Sequence, residues 1–394
     1  MAPSDSSPIH SNAIRRLPAA LPSVNPLERE LDYPFGATLP ASGATMEVAP
    51  GVRWIRMGLP FALNHINLWL LRDEIDDPSG KVQGWTVVDC CVTREESKAQ
   101  WEQVFATQLE GLPILRVIVT HMHPDHIGLA WWLCDFWSAP LWISATDYNT
   151  ALLGTQRTIG FGGASAARFF AAHGLADPAV LEAIAARMSY YPSMVPSVPA
   201  SFHRLMDGME LVVGGRAWRC IAGYGHAPEH IALHCAELGV LIGGDMMLPG
   251  ISTNVSVYDV EPESNPLAQF LDSIDRFRLL AADTLVLPSH GKPFRGLHRR
   301  IDQLHAHHRA RLAEVLAACR EQPRHAADIL PVMFKRPLDL HQTTFAMGEA
   351  LAHLHALWFD GQLKRELGAD GMLRFAAASP ADRAAAAAPA DAAR

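Results

Sequence analysis

The sequence has no apolar run of the ~18 residues that a membrane-spanning helix requires. Its first 25 residues also lack the apolar core of a secretory leader, so a cytoplasmic protein is the expectation. Its six cysteines, Cys90, Cys91, Cys134, Cys220, Cys235 and Cys319, form no Cys-x-x-Cys pair. That argues against a disulfide framework or a thiolate zinc knuckle and for small buried apolar side chains. Positive charge is in deficit, with 33 Lys and Arg against 41 Asp and Glu and a formal net charge of −8. A broad phosphate-binding surface is therefore not expected. Hydrophobic residues, by contrast, make up 49% of 394, enough for a large core and, at this length, for two domains and at most three.

Between a Pro/Ser-rich start, residues 1–40, and an Ala-rich end, residues 377–394, short strand-like runs alternate with helical ones. Strands are expected at 52–57, 67–71, 85–88, 114–119, 141–143, 210–213, 218–221, 231–234, 239–242 and 284–287, each β-branched or aromatic and bounded by Gly, Pro or Asp. Helices are expected at 95–109, 127–136, 164–173, 179–188, 266–280 and 299–319, where apolar residues recur at i, i+3 and i+4. The order implies a layered α/β sandwich over residues 41–298. A helical, aromatic insertion at 147–205 carries Phe161, Phe169, Phe170, Tyr190 and Tyr191. Residues 299–376 read as three helices and a hairpin turning at Ala369-Asp370-Gly371, a small winged-helix-like unit.

The chemistry concentrates in Thr120-His121-Met122-His123-Pro124-Asp125-His126, directly after an apolar strand. Four potential ligands within six residues are hard to bury unless something partners them, and a metal ion does so. Similar candidates follow later strands: His226 in Gly225-His226-Ala227-Pro228-Glu229-His230, Asp245 in Gly243-Gly244-Asp245, and His290 in Ser289-His290-Gly291. Strand ends are where α/β folds place their sites. Seven side chains suffice for two divalent ions: His121, His123 and His226 for one, Asp125, His126 and His290 for the other, with Asp245 bridging. Nitrogen and oxygen donors without thiolate suit zinc first, with iron or manganese as alternatives. His230, four residues after His226, is read as a hydrogen-bonding or packing residue.

This His-x-His-x-Asp-His pattern, followed by His226, Asp245 and His290, resembles the metallo-β-lactamase-fold hydrolases over residues 47–297. The resemblance implies a four-layer αββα sandwich with a dinuclear site at one edge. An aspartate at 245, where zinc β-lactamases commonly carry cysteine, points to the glyoxalase II, lactonase and nuclease side of that superfamily. Asp89, at the end of another strand, would orient a ligand histidine. The layout of 299–376 resembles the winged-helix extension of the β-lactamase-like protein 2 group.

The expected reaction is hydrolysis by a hydroxide bridging the metals, with Asp125 or Asp245 taking up its proton. Substrate-contact candidates are His65, Tyr224, Tyr258, Tyr190, Tyr191 and Phe161. No proton donor for a poor leaving group is evident besides the ligands, which suits a thioester such as an acyl-glutathione or acyl-CoA, since a thiolate leaves unaided. A lactonase, a metal-dependent ribonuclease and a metal-sensing DNA-binding regulator are the competing readings. The candidate recognition helix, 343–359, has no Lys or Arg, so nucleic acid is disfavoured and the C-terminal unit is expected to dimerise the protein or wall its pocket. His305, His307 and His308 are expected on a solvated helix face.

Overall fold

The computed structural model describes residues 26–78, 80–156, 160, 162–380 and 382. A seven-stranded sheet runs in the order β1 (Thr45–Ala49), β2 (Val52–Gly58), β3 (His65–Asp77), β4 (Gly80–Val88), β5 (Ile114–Ile118), β6 (Leu141–Ser144) and β7 (His203–Leu205). Its first four strands are antiparallel and β4 to β7 are parallel. A five-stranded sheet holds β8 (Glu210–Val213), β9 (Arg216–Gly223), β10 (His230–Cys235), β11 (Val240–Gly244) and β12 (Leu285–Pro288), in the spatial order β12-β11-β10-β9-β8. Only β11 and β12 are parallel there.

The layering follows from strand composition. Side chains alternate across a strand, and β3 is apolar on both faces. Ile66, Leu68 and Leu70 meet Trp101 and Val104 of helix α1 (Glu95–Thr107). Trp69 and Leu71 meet Trp218, Leu233 and Ile242 of the other sheet. Ile221, Ala232, Leu241 and Val286 leave that second sheet on its far side and pack under further helices. The result is helix, sheet, sheet, helix.

Helices α2 (Pro124–Ile127) and α3 (Ala130–Trp137) lie on the first sheet's side of the molecule. The stretch expected as one helix at 127–136 is broken between them, where Gly128 N–H bonds Pro124 O and Leu129 N–H bonds Cys91 O. The insertion contains α4 (Ala145–Gln156), α5 (Gly163–Ala172), α6 (Pro178–Ala186) and α7 (Tyr190–Met194). On the second sheet's side, α8 (Pro266–Asp275) runs into a 3-10 turn, Arg276–Leu279, so the helix expected to reach 280 ends earlier. No helix among the described residues is long and apolar enough to cross a membrane.

The C-terminal elements are α9 (Leu297–Glu321), α10 (Ala326–Met333), α11 (Leu340–Phe359) and the hairpin β13 (Leu363–Leu367) with β14 (Leu373–Ala377). They have no core of their own. Ile301, Val315, Ile329, Met347, Leu351, Leu363 and Phe375 belong to the same buried cluster as Leu241, Val286 and Phe270. The N-terminal segment is tied in as well: Leu31 is buried in that cluster and Asp32 pairs with Arg295. His308 corrects an expectation, since it is 1% exposed and packs against Phe270 and His353 rather than facing solvent.

The sheets are stitched at one edge by Asn67. Its amide donates to Pro288 O at 2.8 Å and Gly291 O at 3.1 Å and accepts from Trp54 Nε1 at 2.8 Å, while its own N–H bonds Ser289 O at 2.7 Å. Asn67→Ala leaves the Trp54 N–H and the Pro288 carbonyl buried without partners, each costing about 1–3 kcal/mol. The expected outcome is about 2–4 kcal/mol lower stability, read as a lower denaturant midpoint at an unchanged slope.

Candidate metal centre

β4 and β5 are parallel, and β9, β11 and β12 share one direction because β10 is antiparallel to both of its neighbours. Their C-terminal ends therefore bring Asp89, the 121–126 loop, His226, Asp245 and His290 to a common edge. Pro124 opens α2 at its first position, with His123 as the extended residue before it. That short turn sends His123 to one ligand group and Asp125 and His126 to the neighbouring one.

Two groups of side chains have ligand atoms mutually within 4.8 Å: His121, His123, His226 and Asp245, and separately Asp125, His126 and His290. In the first, His121 Nε2 lies 2.9 Å from His123 Nδ1, which lies 3.0 Å from His226 Nε2, and the two Nε2 atoms are 3.2 Å apart. In the second, His290 Nε2 is 3.4 Å and His126 Nε2 3.8 Å from Asp125 Oδ2. Asp245 joins the groups: its Oδ2 is 3.2 Å from His226 Nε2, and its Oδ1 is 3.5 Å from His126 Nε2 and 3.4 Å from His290 Nε2.

Four of the rings are fixed from behind. His126 Nδ1 donates to Asp89 Oδ2 at 2.8 Å, His226 Nδ1 to Asn254 O at 2.7 Å and His290 Nδ1 to His65 O at 2.7 Å. Thr120 donates its hydroxyl proton to Asp89, so at 3.0 Å His121 Nδ1 is the donor to Thr120 Oγ1. With the outer nitrogen bonded in this way, each of these rings turns its Nε2 inward, where the neutral form offers a lone pair. Burial and the neighbouring imidazoles hold His121 well below the usual histidine range, and burial with His226 takes His123 down to about 3. Burial opposes charge on His126 too, but Asp89, Asp125 and Asp245 carry it well above the usual value. Burial pushes the Asp125 carboxyl up, but His126 and His290 outweigh it and leave the group lowered to about 2.

These residues fit divalent cations. Neutral imidazole lone pairs facing one another repel unless a cation lies between them. Bonds of about 2.0–2.1 Å to a tetrahedral ion set donor separations of about 3.3 Å, close to the spacings of the first group. His126 Nε2 and Asp245 Oδ1 are buried without a hydrogen-bond partner, a costly arrangement that a bound ion resolves.

Residues 66–313 match the Metallo-beta-lactamase superfamily and residues 312–378 match its description "Metallo-beta-lactamase-like, C-terminal domain". The chain belongs to the metallo-beta-lactamase superfamily. It is similar to a probable metallo-hydrolase of Bacillus subtilis (strain 168), YqjP, at 25% identity over 315 residues, 77% of this chain and 91% of the relative. A Beta-lactamase-like protein 2 homolog of Caenorhabditis elegans is 28% identical over 120 residues, 30% of this chain and 37% of that one. Among solved structures, a beta-lactamase domain protein from Burkholderia ambifaria superposes with a TM-score of 0.84 at 56% identity, covering 90% of this chain and all of its own. A metallo-beta-lactamase family protein from Thermus thermophilus gives 0.69 at 28% identity, covering 84% and 100%. The protein is a metallo-hydrolase of this superfamily, whose members bind divalent metals.

Two cavities open on the centre, and His123 and His226 line both. The apolar one, about 310 Å³, is walled by Leu59, Phe61, Leu63, Tyr190, Met194 and Phe345 and reaches Asp125, Asp245 and His290. The other, about 300 Å³, is lined by Thr146, Thr150, Tyr224, Ser256, Tyr258 and Gln269. Tyr190, Tyr224 and Tyr258 thus stand on cavity walls. Phe161 lies outside the described residues.

Two expected contacts face elsewhere. The His65 ring is held by Asn64 Oδ1 at 2.9 Å and Gly291 N–H at 2.8 Å, while its carbonyl anchors His290. Tyr191 is 1% exposed and its hydroxyl donates to Met122 O at 2.6 Å, inside the motif loop. Both are supports and neither lines the two cavities. His230 Nε2 accepts Asp245 N–H at 3.3 Å, and a Cβ on Gly244, at φ +52°, would lie 2.1 Å from that nitrogen.

Sequence reasoning missed Asp147. Its carboxylate accepts Met122 N–H at 2.8 Å and Glu229 N–H at 2.7 Å, tying the motif loop to the segment after His226. The available signal was Ser144-Ala145-Thr146-Asp147 after a strand, a capping pattern with Ser144 Oγ on Asp147 N–H at 3.2 Å. Asp89 sits at φ +63° and accepts from Thr120 N–H at 2.8 Å as well as from His126. Asp89→Ala is expected to weaken metal binding about 10–100-fold, measured by competition with a chelator.

Proposed function

We propose that the protein is a dinuclear metal-dependent hydrolase of acyl thioesters, of the acyl-glutathione or acyl-CoA type, with the seven side chains His121, His123, Asp125, His126, His226, Asp245 and His290 as ligands of two zinc ions. The observation that carries the reading is the two-armed cleft meeting at His123 and His226. A linear acyl compound cut at its carbonyl divides into an acyl group and a leaving group. The apolar arm suits the first, and the other arm, whose partly apolar wall also carries Thr146, Thr150, Ser256 and Gln269, suits the second. A small lactone keeps both halves in one ring and does not call for two arms. The only Lys or Arg lining either cavity, among the described residues, is Arg336, which does not favour a phosphate backbone. Zinc is chosen over iron or manganese for the tetrahedral spacing of the His121 group.

Bound there, paired divalent ions supply a hydroxide nucleophile and positive charge for the carbonyl oxygen. The protein's own groups do the rest. Asp245, its two oxygens turned to different groups, holds them in register. Asp125 Oδ2, held ionised beside His290, accepts the proton that the nucleophile releases. The leaving thiolate needs no proton donor, because its pKa is near ~8.5. The apolar arm excludes water from the acyl side, and α11 contributes its wall through His341, Gln342 and Phe345.

The test is turnover by zinc-loaded protein of S-lactoylglutathione, a short acyl-CoA, a medium-chain homoserine lactone and a structured RNA in parallel. Thiol release is expected, and Asp125→Ala should lower it by about 10²–10³-fold. Lactone opening or RNA cleavage without thiol release overturns the thioester reading. Phe345→Ala is expected to raise KM for the longer acyl chains about 10-fold with kcat near the parent value, the pattern of lost uniform binding.

A further inference from the structure

We infer that the helical insertion is the mount of one of the two ions: Asp147 of α4 and Tyr191 of α7 are positioning residues for the His121, His123 and His226 group, acting through the backbone of Met122. The inference rests on the metal-centre reading above. Met122 stands between two ligands, so its placement sets the spacing of His121 and His123. It lies outside any strand or helix, and its buried backbone atoms must find partners beyond a regular ladder. Insertion side chains supply both. Its N–H donates to Asp147 Oδ1 at 2.8 Å, and its carbonyl accepts the Tyr191 hydroxyl at 2.6 Å. Asp147 is fully buried and Tyr191 is 1% exposed, so both bonds form in a low-dielectric interior where they are strongest. The Met122 side chain is buried in the same cluster as Tyr148, Ala151 and Tyr191.

The two clamping side chains belong to one unit. Gly154 of α4 lies so close to the Tyr191 ring that an added Cβ would be 2.6 Å from it. The Asp147 carboxylate also reaches toward the third ligand. Its Oδ2 accepts Glu229 N–H at 2.7 Å, three residues after His226, and Ser144 Oγ at 3.2 Å. Thr146 of α4 adds a second tie, donating its hydroxyl to Glu229 Oε2 at 2.8 Å. One carboxylate thus spaces the His121–His123 pair from the segment that carries His226.

The other group is fixed elsewhere. His126 is held by Asp89 Oδ2 at 2.8 Å, its carbonyl by Cys90 N–H at 2.8 Å, and His290 by His65 O at 2.7 Å. None of these partners lies in the insertion. The back of the His226 ring is served from the C-terminal region. There Asn254 O sits in a connection strapped by Arg300 of α9, through Leu248 O at 2.6 Å and Ile251 O at 2.7 Å, and by Gly348 O of α11, through Val257 N–H at 3.1 Å. Loosening the insertion clamp therefore acts on one ion and spares the Asp125, His126 and His290 group. Outer supports of ligand histidines typically carry 10–100-fold in metal affinity.

Tyr191→Phe removes the hydroxyl and keeps the ring against Gly154, whereas Asp147→Ala removes both acceptors. Leu316→Ala, on α9 and packed against the second sheet's core, lowers stability without touching Met122. The experiment is zinc titration of the metal-free full-length chain against a chromogenic chelator, with thermal unfolding of each metal-free variant alongside. The parent binds two equivalents. Tyr191→Phe is expected to weaken one of them about 10-fold and Asp147→Ala the same one about 10–100-fold, with the other equivalent staying within about threefold of the parent. Leu316→Ala is expected to unfold earlier with both affinities kept. Parent-like affinities in Tyr191→Phe overturn the inference whatever Asp147→Ala shows. So does an equal fall in both equivalents, or a loss in Leu316→Ala matching that in Tyr191→Phe. A parent that binds no zinc overturns the metal-centre reading itself, which separates the two failures.

Discussion

Five imidazoles and two carboxylates share one small, largely buried volume where the two sheets meet. Such a cluster is expensive to remove from water, and the surrounding structure is organised around that cost. Each ring whose back partner is described spends its outer nitrogen on a fixed acceptor: the Asp89 carboxylate, the Thr120 hydroxyl, or the carbonyl of Asn254 or His65. Those acceptors are held in turn by Thr120, Gly291 and the helices of the C-terminal region. Specification therefore runs inward, from ordinary backbone geometry to a convergent set of lone pairs. Only His123 turns its Nδ1 to the centre, and it does so from the extended position just before the α2 turn.

The motif was legible because its information is local. Three histidines and an aspartate at fixed spacing after an apolar strand need no tertiary knowledge, and His226, Asp245 and His290 share the same setting at strand ends. The layered fold was legible for a related reason: β3 is apolar on both faces, and a strand of that kind must be covered twice. What stayed hidden acts through the backbone. Asn254 and His65 serve the centre by their carbonyls, and a carbonyl is common to every residue type. Tyr191 looked like a substrate contact by composition, and its hydroxyl is instead consumed by Met122 O. His308 looked solvated because its neighbours along the helix are polar, while α11 supplies the cover from far along the chain.

The C-terminal elements change the sense of the domain description. In sequence they follow the catalytic region. In space they complete its outer helical layer, share its core, strap the loop that carries Asn254 and wall the apolar cavity. An interaction module hung on a finished enzyme would have its own core, and this one has none separate from the second sheet.

Helix α9 runs unbroken from Leu297 to Glu321, with no glycine or proline between, so at 1.5 Å per residue it is a rod of roughly 37 Å. The border between the two family segments, at residues 312–313, falls inside that rod. A hinge needs a few residues free to change their backbone angles, and the border offers none. The apolar arm is consequently a slot of set width, and it would gauge whatever enters it by whether the guest fits.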